Sequence, residues 1–264
     1  MAIPLREPEP SAPDVVRLTQ DEFVHEVFTP HYEQGQHVAI MGPTQSGKTT
    51  ISYKLLNEIA SPKLPAVVLV MKPRDDVVKD WSKLSGFRKT ETWPPVINRA
   101  YKKKGGGFGK KQRGWVFWPR HSLTNIERDD KMLSREFGKA LTECYAKGNR
   151  IVFADEIVGL SKELGLEKQL KAIWSRGSGM GCGLWAATQR PFEAPLLMYG
   201  SSEHLLIFKD ADKRSRERYD EIGGVDDKVV ENLVMTLQKH EFLYIGRFMA
   251  DDGVSPALAI VGAN

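Results

Sequence analysis

The chain has 264 residues, 41% of them hydrophobic and 27% charged, the balance of an ordinary soluble globular domain rather than a fibrous or disordered chain. No apolar run reaches the length of a bilayer span, and Arg6, Glu7 and Glu9 near the start leave no apolar core for a signal peptide, so no membrane segment of its own and a cytoplasmic location are expected. Cys144 and Cys182 lack metal-ligand spacing and predict reduced core thiols.

The net charge of +4 is unevenly spread: Arg99 to Arg113 holds seven Lys or Arg and no acid, which leaves the rest of the chain net negative. Pro4, Pro8, Pro10 and Pro13 predict a flexible arm over 1–20, followed by a single domain over 21–264. Phe23, Val24, Val27 and Phe28 predict a short helix over 21–28 that packs on the domain's edge. His37 to Met41 reads as a buried strand, and Ile51, Leu55, Leu56 and Ile59 recur at helical spacing downstream. Ala66 to Met71 is a second apolar run, of the kind covered on both faces in a parallel sheet. A helix is expected over 74–84, whereas 86–119 shows no firm pattern except a strand over 115–118, with Trp115 and Trp118 as core residues.

Leu133, Phe137, Leu141 and Tyr145 predict a helix over 129–146. A strand over 150–156 ends in the two carboxylates Asp155 and Glu156; a helix over 161–175 and strands over 183–189 and 204–209 follow. Helices over 212–222 and 226–237, the second capped by Asp226, precede two late strands over 241–249 and 255–261. Alternation of buried strands and amphipathic helices predicts an α/β fold with a mostly parallel sheet.

Between the first buried strand and its helix lies Gly42, Pro43, Thr44, Gln45, Ser46, Gly47, Lys48, Thr49 and Thr50, which matches G-x-x-x-x-G-K-[ST] in the strand–loop–helix context the motif requires. Gly42 and Gly47 let successive backbone N–H groups turn inward around phosphates, and the helix N-terminus adds partial positive charge. Lys48 is positioned for the β- and γ-phosphates and the Thr49 hydroxyl for Mg²⁺, so ATP and Mg²⁺ are the expected ligands. Asp155, at the carboxyl end of its strand, would orient Mg²⁺ directly or through water, and Glu156 would polarise an attacking water.

The run from Arg176 through Thr188, Gln189, Arg190 and Pro191, placed after these two motifs, resembles the HerA–FtsK superfamily of ring-forming DNA-pumping ATPases over 42–209. That resemblance implies a RecA-like core, an arginine finger at Arg176 acting on a neighbour's nucleotide, and a γ-phosphate sensor at Gln189. It also implies a homo-oligomeric ring, hexamer or pentamer, acting on double-stranded DNA. The alternative for Arg176 is an idle cation at a helix C-terminus, and Arg190 is either a structural ion-pair residue, the preferred option, or a second phosphate contact. The chain is expected to lack the membrane segments and DNA-reading module of chromosome pumps and the β-barrel of the HerA branch. The expectation is therefore a viral genome-packaging motor, in host cytoplasm or virion, with a portal or membrane protein as docking partner. The rivals are a conjugative or chromosomal translocase, an ATP-dependent assembly protein without translocation, and a small-molecule kinase.

The Gly/Lys-rich loop over 99–114 would supply Lys102, Lys103, Lys104, Lys110, Lys111 and Arg113 to a nucleic-acid backbone, with Tyr101 and Phe108 available for stacking, the alternative being a solvated loop. A second basic cluster over 213–218 is interleaved with acids and reads as an exposed helix face.

Overall fold

A computed structural model of the chain describes residues 15–81, 86–95, 112–247 and 257–262. Its strands are β1 (Val16–Thr19), β2 (Val38–Met41), β3 (Ala66–Leu69), β4 (Phe87–Thr90), β5 (Gly114–Phe117), β6 (Arg150–Ala154), β7 (Cys182–Thr188), β8 (His204–Phe208), β9 (Phe242–Gly246) and β10 (Ala257–Gly262). They form one ten-stranded sheet in the order β1-β10-β9-β8-β2-β7-β6-β3-β5-β4. Among these strands only β9 runs against the others, pairing antiparallel with both β8 and β10. The mixed, mostly parallel sheet flanked by helices is the α/β architecture that the alternating pattern predicts.

Every residue of β2, β3, β7, β8 and β9 is buried, so these strands read as unbroken apolar runs. Successive side chains point to opposite faces. Ala39, Met41, Val67, Leu69, Val152 and Leu184 meet Leu133, Phe137 and Leu141 of the long helix Ile126–Lys147 and Ile173 of the helix Glu167–Arg176. On the other face, Val38, Ile40, Val68, Phe153 and Trp185 pack with Ile51, Leu55 and Leu56 of the P-loop helix Lys48–Ile59 and with Phe23 and Phe28. The loop between β2 and that helix is thus held by apolar layers on both sides.

Several expectations shift in detail. The arm predicted over 1–20 ends earlier among the described residues, because Val16–Thr19 pairs with β10. Thr19 and Glu22 then form a capping box that starts a helical stretch continuing through a π-helical turn, Phe23–Phe28. The helix expected over 161–175 is split into a π-helical turn, Gly159–Glu163, and the helix Glu167–Arg176, with Gly165 between them at φ +66°. The segment over 212–222 is a single α-turn, Lys213–Arg216, followed by a 3₁₀ turn, Glu217–Glu221. The edge strand β4 has no counterpart in the apolar pattern: it exposes Arg88 and Lys89, charge that also discourages edge-to-edge pairing. Asp226 caps its helix as expected, accepting from the N–H groups of Lys228 and Val229.

Both cysteines are free and buried, and burial raises their thiol pKa values. Trp118 is buried with its Nε1 donating to the Lys72 carbonyl at 2.8 Å, and Trp115 lies edge-on to Trp93. The cluster over 213–218 is ion-paired: Lys213 with Glu217, Arg214 with Asp212, Arg216 with Glu231 and Arg218 with Glu221. Among the described residues no helix is long and apolar enough to cross a membrane.

Candidate active site

The carboxyl ends of β2, β3, β6 and β7 lie together, and the chemistry-bearing residues follow them. Gly42, directly after β2, sits at φ +155°, and a Cβ there would lie 2.5 Å from the Cβ of Phe208 on β8. Only glycine lets the loop leave the sheet so close to its neighbour. Gly47, at φ +108°, precedes the P-loop helix without a side-chain cap, which leaves the helix's first N–H groups available to an anion.

The Lys48 ammonium lies inside the loop, 2.7 Å from the Gly42 carbonyl, 2.6 Å from that of Pro43 and 3.4 Å from Ser46 Oγ. Burial pushes its pKa down to about 8, against the opposing pull of Glu156 and Asp155. Thr49 Oγ1 stands 3.4 Å from Asp155 Oδ1. Asp155 is buried, and loss of water raises its pKa while the Lys72 ammonium, 3.5 Å away, opposes the rise.

Glu156 is turned towards β7. Its Oε1 accepts from Thr188 Oγ1 at 3.0 Å and from the Val158 N–H at 3.4 Å, and its Oε2 accepts from the Gln189 N–H at 3.1 Å. Burial raises its pKa, and these three donors lower it in part. The Gln189 side chain reaches back to the P-loop, where its Oε1 accepts from Thr44 Oγ1 at 2.7 Å. Glu156, Gln189 and Thr44 thus form one hydrogen-bonded chain from the end of β6 to the phosphate loop.

A cleft of about 460 Å³ is lined by the P-loop residues from Thr44 to Thr50 together with Lys72, Asp75, Asp155, Gln189 and His240, a size suited to a small-molecule ligand. Hard oxygen donors at Thr49 and Asp155 converge on it, the donor set Mg²⁺ accepts when phosphates and waters complete its octahedron.

The structure therefore brings Lys48, Thr49, Asp155, Glu156 and Gln189 together, and it separates two other groups from them. Arg176 ends its helix at the opposite end of the sheet, just before β7 begins. The seven residues of β7 set Arg176 roughly 20 Å from the Gln189 end of the strand. Exposed, its guanidinium lies 5.5 Å over the Tyr145 ring. Arg113 is committed elsewhere: Nε donates to the Ala60 carbonyl at 2.7 Å, Nη2 to the Asn57 carbonyl and Nη1 to Asn57 Oδ1 at 3.3 Å. It caps the C-terminus of the P-loop helix, a structural role apart from the nucleic-acid contact expected of it. Lys102, Lys103, Lys104, Lys110 and Lys111, with Tyr101 and Phe108, lie outside the described residues. Arg190 is exposed, with Nη1 3.7 Å from Glu193 and 4.0 Å from Glu163, in keeping with the ion-pair alternative.

Lys72, Asp75 and His240 were not singled out by sequence reasoning. Lys72 is bracketed by Asp155 and Asp75; burial alone would lower its pKa, yet the two carboxylates hold it above the ordinary value. Its place just past the carboxyl end of β3, beside β6, becomes visible only through the strand order. The same holds for His240, which only the fold brings to Ser46.

No protein-family model matches the sequence, and no curated protein matches it. Solved structures do match its fold. The genome-packaging NTPase B204 of Sulfolobus turreted icosahedral virus 2, in complex with AMPPCP, superposes at TM-score 0.56 and 12% identity, covering 88% of this chain and 100% of that one. The same NTPase in complex with sulfate gives 0.58 at 13% identity, covering 88% and 98%. VirB4 of Thermoanaerobacter pseudethanolicus gives 0.60 at 10% identity, covering 86% and 89%. At such identities the likeness is one of fold: the chain shares the RecA-like core of these proteins, a mostly parallel sheet flanked by helices.

Proposed function

We propose that the protein is an ATP-hydrolysing ring motor that moves double-stranded DNA, of the genome-packaging type. The observation that carries this reading is the chain Glu156–Gln189–Thr44, which ties a strand-end glutamate to the phosphate loop through the glutamine of the sensor motif. Lys48 and the open N–H groups of the helix N-terminus would hold the β- and γ-phosphates. Thr49 and Asp155 would hold Mg²⁺, which when bound neutralises charge developing on the phosphates. Glu156 would accept a proton from the attacking water, and the burial that raises its pKa brings it closer to the range useful for a base. A Gln189 side chain drawn from Thr44 to a γ-phosphate would be felt at Glu156, because the Gln189 N–H holds that carboxylate.

Arg176 is too far from the cleft of its own subunit to act there, which supports a role on a neighbour's nucleotide and hence a ring. The lysines over 102–111 would follow the DNA backbone, needing charge and reach but no base reading. The fold likeness to B204, a genome-packaging NTPase matched over its whole length, is compatible with this reading.

The test is Glu156→Gln, which keeps the shape of the side chain and removes the base, its amide NH2 replacing one of the two accepting oxygens. Nucleotide affinity should hold while turnover falls about 10²- to 10⁴-fold. Turnover near the wild-type rate would remove Glu156 from the chemistry and return the assembly-protein alternative.

A further inference from the structure

We propose that His240, on the same cleft as Gln20, forms the subsite for the nucleoside portion of a bound nucleoside triphosphate. This inference rests on the P-loop reading and extends it to a part of the ligand the phosphate machinery does not touch.

Three observations converge. First, β9 is antiparallel, so its start pairs with the end of β8 (Phe242 with Phe208), and the turn before it lies at the P-loop end of the sheet. His240 occupies that turn and lines the nucleotide cleft together with Gln20, the first residue of the N-terminal helix. Second, His240 is a non-glycine residue at φ +68°, a left-handed conformation that disfavours side chains and concentrates at functional positions. Its Nδ1 donates to the Ser46 carbonyl at 3.2 Å, which fixes the ring against the phosphate loop. Third, the strand order gives the cleft a direction. Asp155, Glu156 and Gln189 follow β6 and β7, on one side of β2, whereas β8 and β9 lie on the other. A triphosphate with its γ end towards Gln189 sends its nucleoside towards β8 and β9, where His240 stands. An imidazole held there offers a face on which a base stacks, a contact that does not depend on which base is bound.

The test compares a nucleotide with its phosphate chain alone. In the full-length protein, calorimetry measures Mg·AMPPCP and inorganic tripolyphosphate binding for wild type, His240→Ala, His240→Gly and Lys48→Ala. His240→Gly suits the left-handed backbone and so guards against misfolding, with the thermal midpoint as the check. Both His240 variants should weaken AMPPCP about tenfold while tripolyphosphate stays within about twofold of wild type. Unchanged AMPPCP affinity would overturn the proposal. Equal weakening of both ligands would also overturn it, since the effect would then run through Ser46 and the loop. Lys48→Ala should lose both ligands; retained tripolyphosphate affinity there would sink the P-loop reading itself, an outcome the His240 variants cannot mimic.

Discussion

Replacing Arg113 separates a structural cation from a nucleic-acid contact. Its guanidinium donates to two carbonyls at the end of the P-loop helix, Asn57 and Ala60, and to the Asn57 side chain. Those carbonyls belong to the turn whose acceptors have no partners within the helix. Its side-chain stem also passes close beneath Gly86, where a Cβ would come within 2.7 Å of Arg113 Cδ. A hydrogen bond from a charged donor contributes about 1.5–3 kcal/mol, and a cation at a helix C-terminus about 0.3–1 kcal/mol more. Arg113 is half-buried, so water replaces part of what is lost on truncation, and about 3 kcal/mol is the expected cost of Arg113→Ala. For a domain of this size that lowers Tm by roughly 6–12 °C, readable by circular dichroism or scanning calorimetry. Arg113→Lys should recover only part of the loss, because one ammonium cannot satisfy three divergent acceptors. A Tm unmoved within about 1 °C, together with weaker DNA binding, would refute the capping argument and return Arg113 to the basic loop.

Arg176→Ala should leave nucleotide affinity in place and lower the turnover of the assembled protein about 10³-fold, since a finger acts on charge that develops only in the transition state. Unchanged turnover would make Arg176 a stacking partner of Tyr145 and nothing more. The buried histidines make stability pH-dependent: burial pushes His204 down to about 3 and His37 to about 4, both below the ordinary 6.5. As pH falls below 6.5 the unfolded chain takes up protons that the folded chain refuses, so stability is full above that pH and declines as acid is added, by about 1.4 kcal/mol per pH unit per histidine. His204→Gln should flatten the fall in Tm between about pH 6 and pH 5, and an unchanged slope would show that His204 is not held neutral.

The sequence made the phosphate loop and both strand-end acids legible because their spacing is local: glycines, lysine and hydroxyl fall within nine residues, and Asp155 and Glu156 end an apolar run. Gln189 was legible through its motif, but its contact with Thr44 spans 145 positions and exists only in the fold. Lys72 and His240 escaped notice because nothing in their local sequence marks them; strand order alone carries them to the cleft. Arg113 misled for the opposite reason. It sits at the end of a basic, glycine-rich run, yet β5 begins at the next residue and draws it against the P-loop helix. The edge strand β4 was hidden because an edge needs few apolar residues, whereas the central strands announced themselves through complete burial.

The central claim is a motor whose ATP turnover is coupled to DNA. Its most direct test is the steady-state ATPase rate of the assembled protein with and without double-stranded DNA across a range of salt, for wild type and for a variant with Lys102, Lys103, Lys104, Lys110 and Lys111 neutralised. The account predicts strong stimulation by DNA that fades as salt rises and is lost in the neutralised variant. A rate indifferent to DNA at every salt concentration, with nucleotide binding intact, would contradict it and leave a P-loop ATPase that works on something else.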